Sequence, residues 1–187
     1  MSYKEALARL PARADEDGHV HVFVETPAES RHKVALDEET GLLKWSLELP
    51  MGSRFPFAFG FVPNTRAEDG DPLDVLLLAD PGIPPGAVVA ARVIGVLRVR
   101  QDEEGDGEAT TANDRVIAVP VMGNSYQNVH DLPDLREGFV GEIDAFFRSY
   151  NEMIGRAFDT EPPGDRAAAH RLLDEAIAAV RTTAEGA

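Results

Sequence analysis

Short β-prone runs fill the first part of the chain, and a helical period takes over only towards its end. Val20-His21-Val22-Phe23-Val24-Glu25 combines β-branched and aromatic residues and closes at Thr26-Pro27, which predicts a strand. Lys33-Val34-Ala35-Leu36-Asp37 and Leu42-Leu43-Lys44-Trp45-Ser46-Leu47 flank Glu38-Glu39-Thr40-Gly41. That glycine accepts the positive φ of a hairpin turn, so these two runs are predicted to pair. Val75-Leu76-Leu77-Leu78 reads as a buried strand, and Ala87 to Val99 is strongly β-prone with Gly95 marking a bend or bulge. Arg115-Val116-Ile117-Ala118-Val119-Pro120 is a further strand.

From Asp134 the period changes: Phe139, Ile143, Phe146, Phe147, Tyr150 and Ile154 recur at helical spacing, up to the stop Glu161-Pro162-Pro163-Gly164. An Ala-rich segment from Asp165 to Thr182 predicts a second helix with Leu172, Leu173, Ile177 and Val180 on its apolar face. A short helical lead-in over residues 3–9 precedes the strands. Phe55-Pro56-Phe57-Ala58-Phe59-Gly60-Phe61 is punctuated by Pro and Gly and reads as a loop, either lining a site or lying as a hydrophobic lid. Strands first and helices last predict an α+β fold, a compact barrel with helices packed outside it. The expected organisation is a single domain over 1–187, with a lead-in at 1–19 and an additional C-terminal helix at 160–187.

Composition narrows the chemistry. The 187-residue chain has no cysteine, which removes thiolate metal sites and thiol nucleophiles and leaves oxygen and nitrogen groups. A net charge of −15 repels a phosphate backbone, so nucleic-acid binding, including OB-type stacking on exposed Phe residues, is not expected. No apolar run reaches membrane-spanning length and no signal pattern opens the chain, which points to a cytoplasmic protein without a membrane partner.

The densest chemistry lies in Asp69-Gly70-Asp71-Pro72-Leu73-Asp74, directly ahead of the Val75 strand. Carboxylates this close raise one another's pKa unless a cation sits between them, and oxygen-only clusters suit hard divalent ions such as Mg²⁺ or Mn²⁺. Asp, Gly and Pro are also the usual turn residues, and composition alone favours a solvated acidic turn.

The wider context decides between these readings. Asp69-Gly70-Asp71-Pro72-Leu73-Asp74-Val75 resembles the signature of the family I soluble inorganic pyrophosphatases. Glu25-Thr26-Pro27-Ala28, Lys33, Gly41, Pro56 with Phe59-Gly60-Phe61-Val62-Pro63, and Pro85-Gly86 follow in family order. So do Ile94-Gly95-Val96-Leu97, Arg115 to Pro120, Asp131-Leu132-Pro133 and Phe146-Phe147 with Tyr150, which extends the likeness over about residues 20–155.

The resemblance implies an OB-like five-stranded β-barrel, Mg²⁺-dependent hydrolysis of pyrophosphate, and a homo-oligomer, commonly a hexamer in bacterial members. It implies Asp69, Asp71 and Asp74 as metal ligands, with Asp71 also the general base. Asp102 and Glu103 resemble the second metal-binding loop, although Asp102-Glu103-Glu104-Gly105-Asp106 also reads as a solvated acidic turn. Glu25 matches an acid near the metals. Lys33 and Arg115 match phosphate-binding cations, and Tyr150 matches a phosphate-contacting tyrosine whose place on the apolar stripe equally suits a core role.

Departures fall on functional positions. Ala35 replaces a family glutamate, Leu47 a phosphate-binding arginine, and Asn151 a lysine. Phe55 and Phe59 replace tyrosines, and Asn113 an acid. Arg31, His32, Lys44, Arg54 and Arg66 are candidate substitutes for the missing cations. The expected function is therefore hydrolysis of pyrophosphate or a related small phosphoanhydride at reduced activity. The alternative is a non-catalytic metal-binding or assembly protein that keeps the barrel.

Overall fold

A computed structural model describes residues 2–37, 39–102 and 111–185. A five-residue helix α1 (Tyr3–Leu7), capped by Ser2, leads into strand β1 (Val20–Thr26). The hairpin β2 (His32–Asp37) and β3 (Leu42–Glu48) follows, and then β4 (Ala58–Phe61), β5 (Asp74–Leu77) and β6 (Val88–Leu97). β7 (Val99–Gln101), β8 (Thr111–Ala112) and β9 (Arg115–Pro120) precede α2 (Phe139–Met153), β10 (Phe158–Thr160) and α3 (Arg166–Glu185).

Five strands close into a barrel in the order β1-β4-β5-β9-β6, as the resemblance implied. Only β5 and β9 run parallel within it; the other barrel pairs are antiparallel. The β2–β3 hairpin forms as predicted but stands off the barrel as its own two-stranded sheet, and β10-β7-β8 make a third sheet.

The pleat divides the interior into two cores. Val75 and Leu77 of β5 with Val116 and Ala118 of β9 pack in one cluster, which Ala168, Ala169, Leu173 and Ala176 of α3 complete. The intervening Leu76, Leu78, Ile117 and Val119 enter the other, together with Phe139, Ile143, Phe147 and Tyr150 of α2. Because successive side chains point to opposite faces, strands covered on both sides read as unbroken apolar runs, as these do.

Two expectations change. The aromatic stretch predicted as a loop is only half one: Ala58–Phe61 is barrel strand β4, buried at all four positions. Gly60 is required there, since a Cβ would lie 2.0 Å from the Phe23 carbonyl oxygen of the neighbouring strand. The segment between the two C-terminal helices is not a plain stop, because Phe158–Thr160 pairs with β7. The bend expected at Gly95 is present as a register shift between Val93 and Gly95 against β9, with the Leu132 side chain filling the space a Cβ would take.

Candidate active site

The acidic loop is built from its backbone outward. The Thr65 hydroxyl donates to the Val62 carbonyl at 2.6 Å and accepts the Leu73 N–H at 2.9 Å, tying both ends of the loop together. Within it the Asp69 carboxylate accepts the Asp71 N–H at 3.0 Å, and the Ala67 N–H donates to the Asp71 carbonyl at 2.8 Å. These bonds hold Asp69 and Asp71 ahead of β5, and Asp74 begins the strand itself.

The parallel register then brings in a cation. Val75 lies opposite Val116, so Asp74 and Arg115, one residue earlier on each strand, are neighbours, and Nε of Arg115 stands 3.9 Å from Oδ2 of Asp74. Arg115 is only 6% exposed. Its guanidinium donates to the Asn113 carbonyl and the Gln101 side chain, both at 3.0 Å, and lies 5.0 Å from the Phe147 ring centroid, with Phe158 and Phe59 just beyond.

The hairpin supplies the facing wall. The Thr26 hydroxyl donates to the Val34 carbonyl at 2.8 Å and accepts the Val34 N–H at 3.0 Å, fastening β2 to the end of β1. Glu25 accepts the Leu36 N–H at 2.6 Å. The loop ahead of β4 is pinned by Glu29 and Phe55, whose N–H groups donate to the Phe55 and Ser30 carbonyls at 2.8 and 2.9 Å.

Together these elements enclose a cavity of about 330 Å³. Glu25, Asp69, Asp71 and Asp74 line it with Lys33, Arg115 and Tyr150. Of the nine predicted site residues, eight fall in the described chain (Glu25, Lys33, Asp69, Asp71, Asp74, Asp102, Arg115 and Tyr150), and all of these but Asp102 line this cavity.

 

Asp102 sits one residue past the lining Gln101, 3% exposed, with its N–H donating to the Ala157 carbonyl at 3.0 Å. Glu103 lies outside the described residues. Tyr150 serves both of its expected surroundings: it faces the cavity, and its ring stacks on Phe146 at 6.2 Å within the α2 core.

Two of the cavity's acids titrate above their ordinary range, chiefly because they are buried. Burial pushes the Glu25 carboxyl up to about 7, reinforced by Asp74 and Asp71 and opposed by the Leu36 N–H and Lys33. Burial likewise raises Asp74 to about 6, against the pull of Arg115 and Lys33. Among the described residues, Asp69, Asp71 and Asp74 do not bring one oxygen each within 4.8 Å of one another. The compact trio is instead Asp15, Asp17 and His19, in the turn before β1, where Asp15 and His19 already pair at 2.6 Å.

A pH dependence follows for the metal-free protein. A folded-state pKa of about 7 against an ordinary 4.5 means that Glu25 stabilises the fold fully below pH 4.5 and loses that contribution as pH rises through 7. The ceiling is about 3 kcal/mol at roughly 1.4 kcal/mol per unit. Melting temperatures of wild type and Glu25→Gln in chelator should therefore diverge between pH 4.5 and 7, the variant becoming relatively more stable at the upper end. Parallel curves would show that Glu25 is solvated.

None of the cations suggested as substitutes lines the cavity. Arg31 pairs with Glu48 at 2.5 Å, Lys44 with Asp37 at 3.3 Å, Arg54 donates to the Glu29 carbonyl, and His32 packs edge-on to Trp45. Gln101 and Arg156 do line it and were not singled out from sequence. For Arg156 a signal existed: Gly155 follows a long helical run where a C-terminal glycine cap is common, and a cation follows it.

Residues 22–181 match the family profile described as inorganic pyrophosphatase. The chain belongs to the inorganic pyrophosphatase family. The inorganic pyrophosphatase of Saccharolobus solfataricus is 40% identical over 136 residues, covering 72% of this chain and 75% of that protein. The Thermus thermophilus inorganic pyrophosphatase is 35% identical over 147 residues, 79% of this chain and 80% of its own length. A Thermus thermophilus inorganic pyrophosphatase crystal structure superimposes with a TM-score of 0.83 at 31% identity, covering 94% of this chain and 98% of that one. The Helicobacter pylori inorganic pyrophosphatase gives 0.81 at 29% identity, with 92% and 98% covered. Within this pyrophosphatase fold, no helix among the described residues is long and apolar enough to cross a membrane.

Proposed function

We propose that this chain hydrolyses inorganic pyrophosphate to two phosphates with the help of a divalent cation, Mg²⁺ by preference and Mn²⁺ in its place. The observation that carries this reading is the meeting of Glu25, Asp69, Asp71 and Asp74 with Lys33 and Arg115 in one cavity at the end of β5. An all-oxygen donor set in which burial, reinforced by neighbouring carboxylates, raises Glu25 and Asp74 fits a hard divalent ion. Asp69, Asp71 and Asp74 would hold it, with Glu25, Asp102 and Glu103 as further acids. Once bound, such an ion supplies Lewis acidity towards phosphoryl oxygens and lowers the pKa of water.

The chain's own groups do the rest. Asp71 is solvent-exposed on a loop held by its own backbone bonds, and it accepts the proton of the attacking water. Lys33 and Arg115 bind the substrate's phosphoryl oxygens, and the Tyr150 hydroxyl donates to them. Phe55, Phe59 and Phe61 line the same cavity and exclude water, yet they offer no hydrogen bond. Each missing bond to a charged phosphate is worth roughly 1.5–3 kcal/mol, so turnover is slower than a fully furnished site would give.

The test is phosphate release from pyrophosphate by purified protein. Release that requires Mg²⁺ and stops with chelator is expected. No release from pyrophosphate, triphosphate or nucleotide triphosphates with either Mg²⁺ or Mn²⁺ would rule the reading out. We further propose a single folded domain over 1–187 that assembles as a homo-oligomer, read by one calorimetric transition and by sedimentation.

A further inference from the structure

The phosphate grip has lost two cations by comparison with the family pattern, at Leu47 and Asn151, and neither residue lines the cavity. Leu47 packs against the α2 core. Asn151 is 1% exposed and turned into its own helix, where its side-chain amide donates to the Phe147 carbonyl at 2.9 Å.

The same helix end delivers another cation. The Ile154 N–H donates to the Asn151 carbonyl at 3.1 Å, the Gly155 N–H to the Glu152 carbonyl at 3.1 Å, and the Arg156 N–H back to the Asn151 carbonyl at 3.0 Å. Gly155 adopts φ 73°, the left-handed conformation that this reversal needs. The chain therefore doubles back over the end of α2, and Arg156 joins Asp69, Asp71, Lys33 and Tyr150 around the cavity. Beyond it, Phe158 pairs with Gln101 in β7 and stacks on Phe147 at 6.2 Å, so the arginine is carried on a short span anchored at both ends.

Arg156 is exposed and, among the described residues, its side chain makes no ion pair or hydrogen bond. Its neighbours differ. Arg148 on the same helix is engaged by Asp144 and Asp159, and Arg115 is held by Gln101, the Asn113 carbonyl and three rings. An uncommitted guanidinium facing carboxylates across a cavity is placed to take a doubly charged oxyanion group in a two-pronged grip.

We propose that Arg156 is a substrate-binding residue that grips a phosphate of pyrophosphate. This rests on the reading that the cavity takes pyrophosphate. The test compares Arg156→Gln and Arg156→Lys with wild type, in Mg²⁺-pyrophosphate kinetics and in calorimetric binding of methylenediphosphonate with Mg²⁺. Arg148→Gln serves as control.

Arg156→Gln should weaken diphosphonate binding and raise KM by about 10- to 100-fold, the range for a charged hydrogen bond, with an unchanged melting temperature. Arg156→Lys should recover part of that loss, and Arg148→Gln should leave both quantities within about twofold. An active wild type whose KM and diphosphonate affinity are untouched by Arg156→Gln overturns the inference and leaves the pyrophosphatase reading standing. A wild type that neither hydrolyses pyrophosphate nor binds the diphosphonate overturns both.

Discussion

Asp71→Ala should abolish Mg²⁺-dependent phosphate release, lowering kcat by about 10³-fold or more while the protein stays folded. Removing a general base costs about 10²–10⁴-fold by itself, and loss of a metal ligand adds to it. Stability should survive because the backbone bonds that shape the loop at this residue, its N–H to Asp69 and its carbonyl from Ala67, do not depend on its side chain. Deleting one of several clustered acids also relieves repulsion in the metal-free state, so its melting temperature in chelator should equal or exceed wild type. Glu68→Gln, in the same loop but outside the cavity, is the control. An Asp71→Ala protein with more than a tenth of wild-type turnover would remove Asp71 from the mechanism.

Arg115→Ala should be the most damaging change to the site's architecture. The guanidinium is buried among Phe59, Phe147 and Phe158, bonded to Gln101 and the Asn113 carbonyl, and near Asp74. Removing one member of a buried charged pair costs about 3–5 kcal/mol, because the groups left behind stay buried. At about 2–4 °C per kcal/mol for a chain of this size, the melting temperature should fall by about 10 °C. Loss of its charge also removes the main opposition to protonation of Asp74, whose carboxyl should titrate still higher. Arg115→Lys keeps the charge without the fork and should recover only part of the stability. A melting temperature within 2 °C of wild type for Arg115→Ala would mean that the aromatic cluster holds this end of the barrel unaided.

Arg115 also marks where sequence reasoning stopped. Its match to a family cation ahead of a β-prone run implied a phosphate-binding role but said nothing of its surroundings. Its setting depends on β5 and β9 running parallel in one register, and on Phe158 arriving from a strand more than forty residues later. Asn151 poses the converse case: set against the family pattern it reads as a lost lysine, whereas a buried amide satisfying a helix carbonyl is a packing outcome.

Local pattern was enough for β1, the hairpin, β5, β6 with its Gly95 bulge, β9 and both long helices, because each carries its own period or turn residues. It was enough, too, for the acidic loop, where repulsion among three close carboxylates is a property of the segment itself. β4 escaped it because all four of its residues are buried, which erases alternation, and Pro and Gly around it mimic a loop. β10 escaped it because three residues have no period at all and become a strand only by pairing with β7.

The cations of the site divide in the same way. Lys33 and Arg115 stand beside strand signals that the chain itself carries, and Arg156 reaches the cavity only because Gly155 turns the end of α2 back on itself. Charge and residue type are written along the chain, so the cluster of acids is legible there. Which cations face those acids depends on barrel closure, strand register and the exit of one helix, and those are set by contacts between segments far apart in sequence.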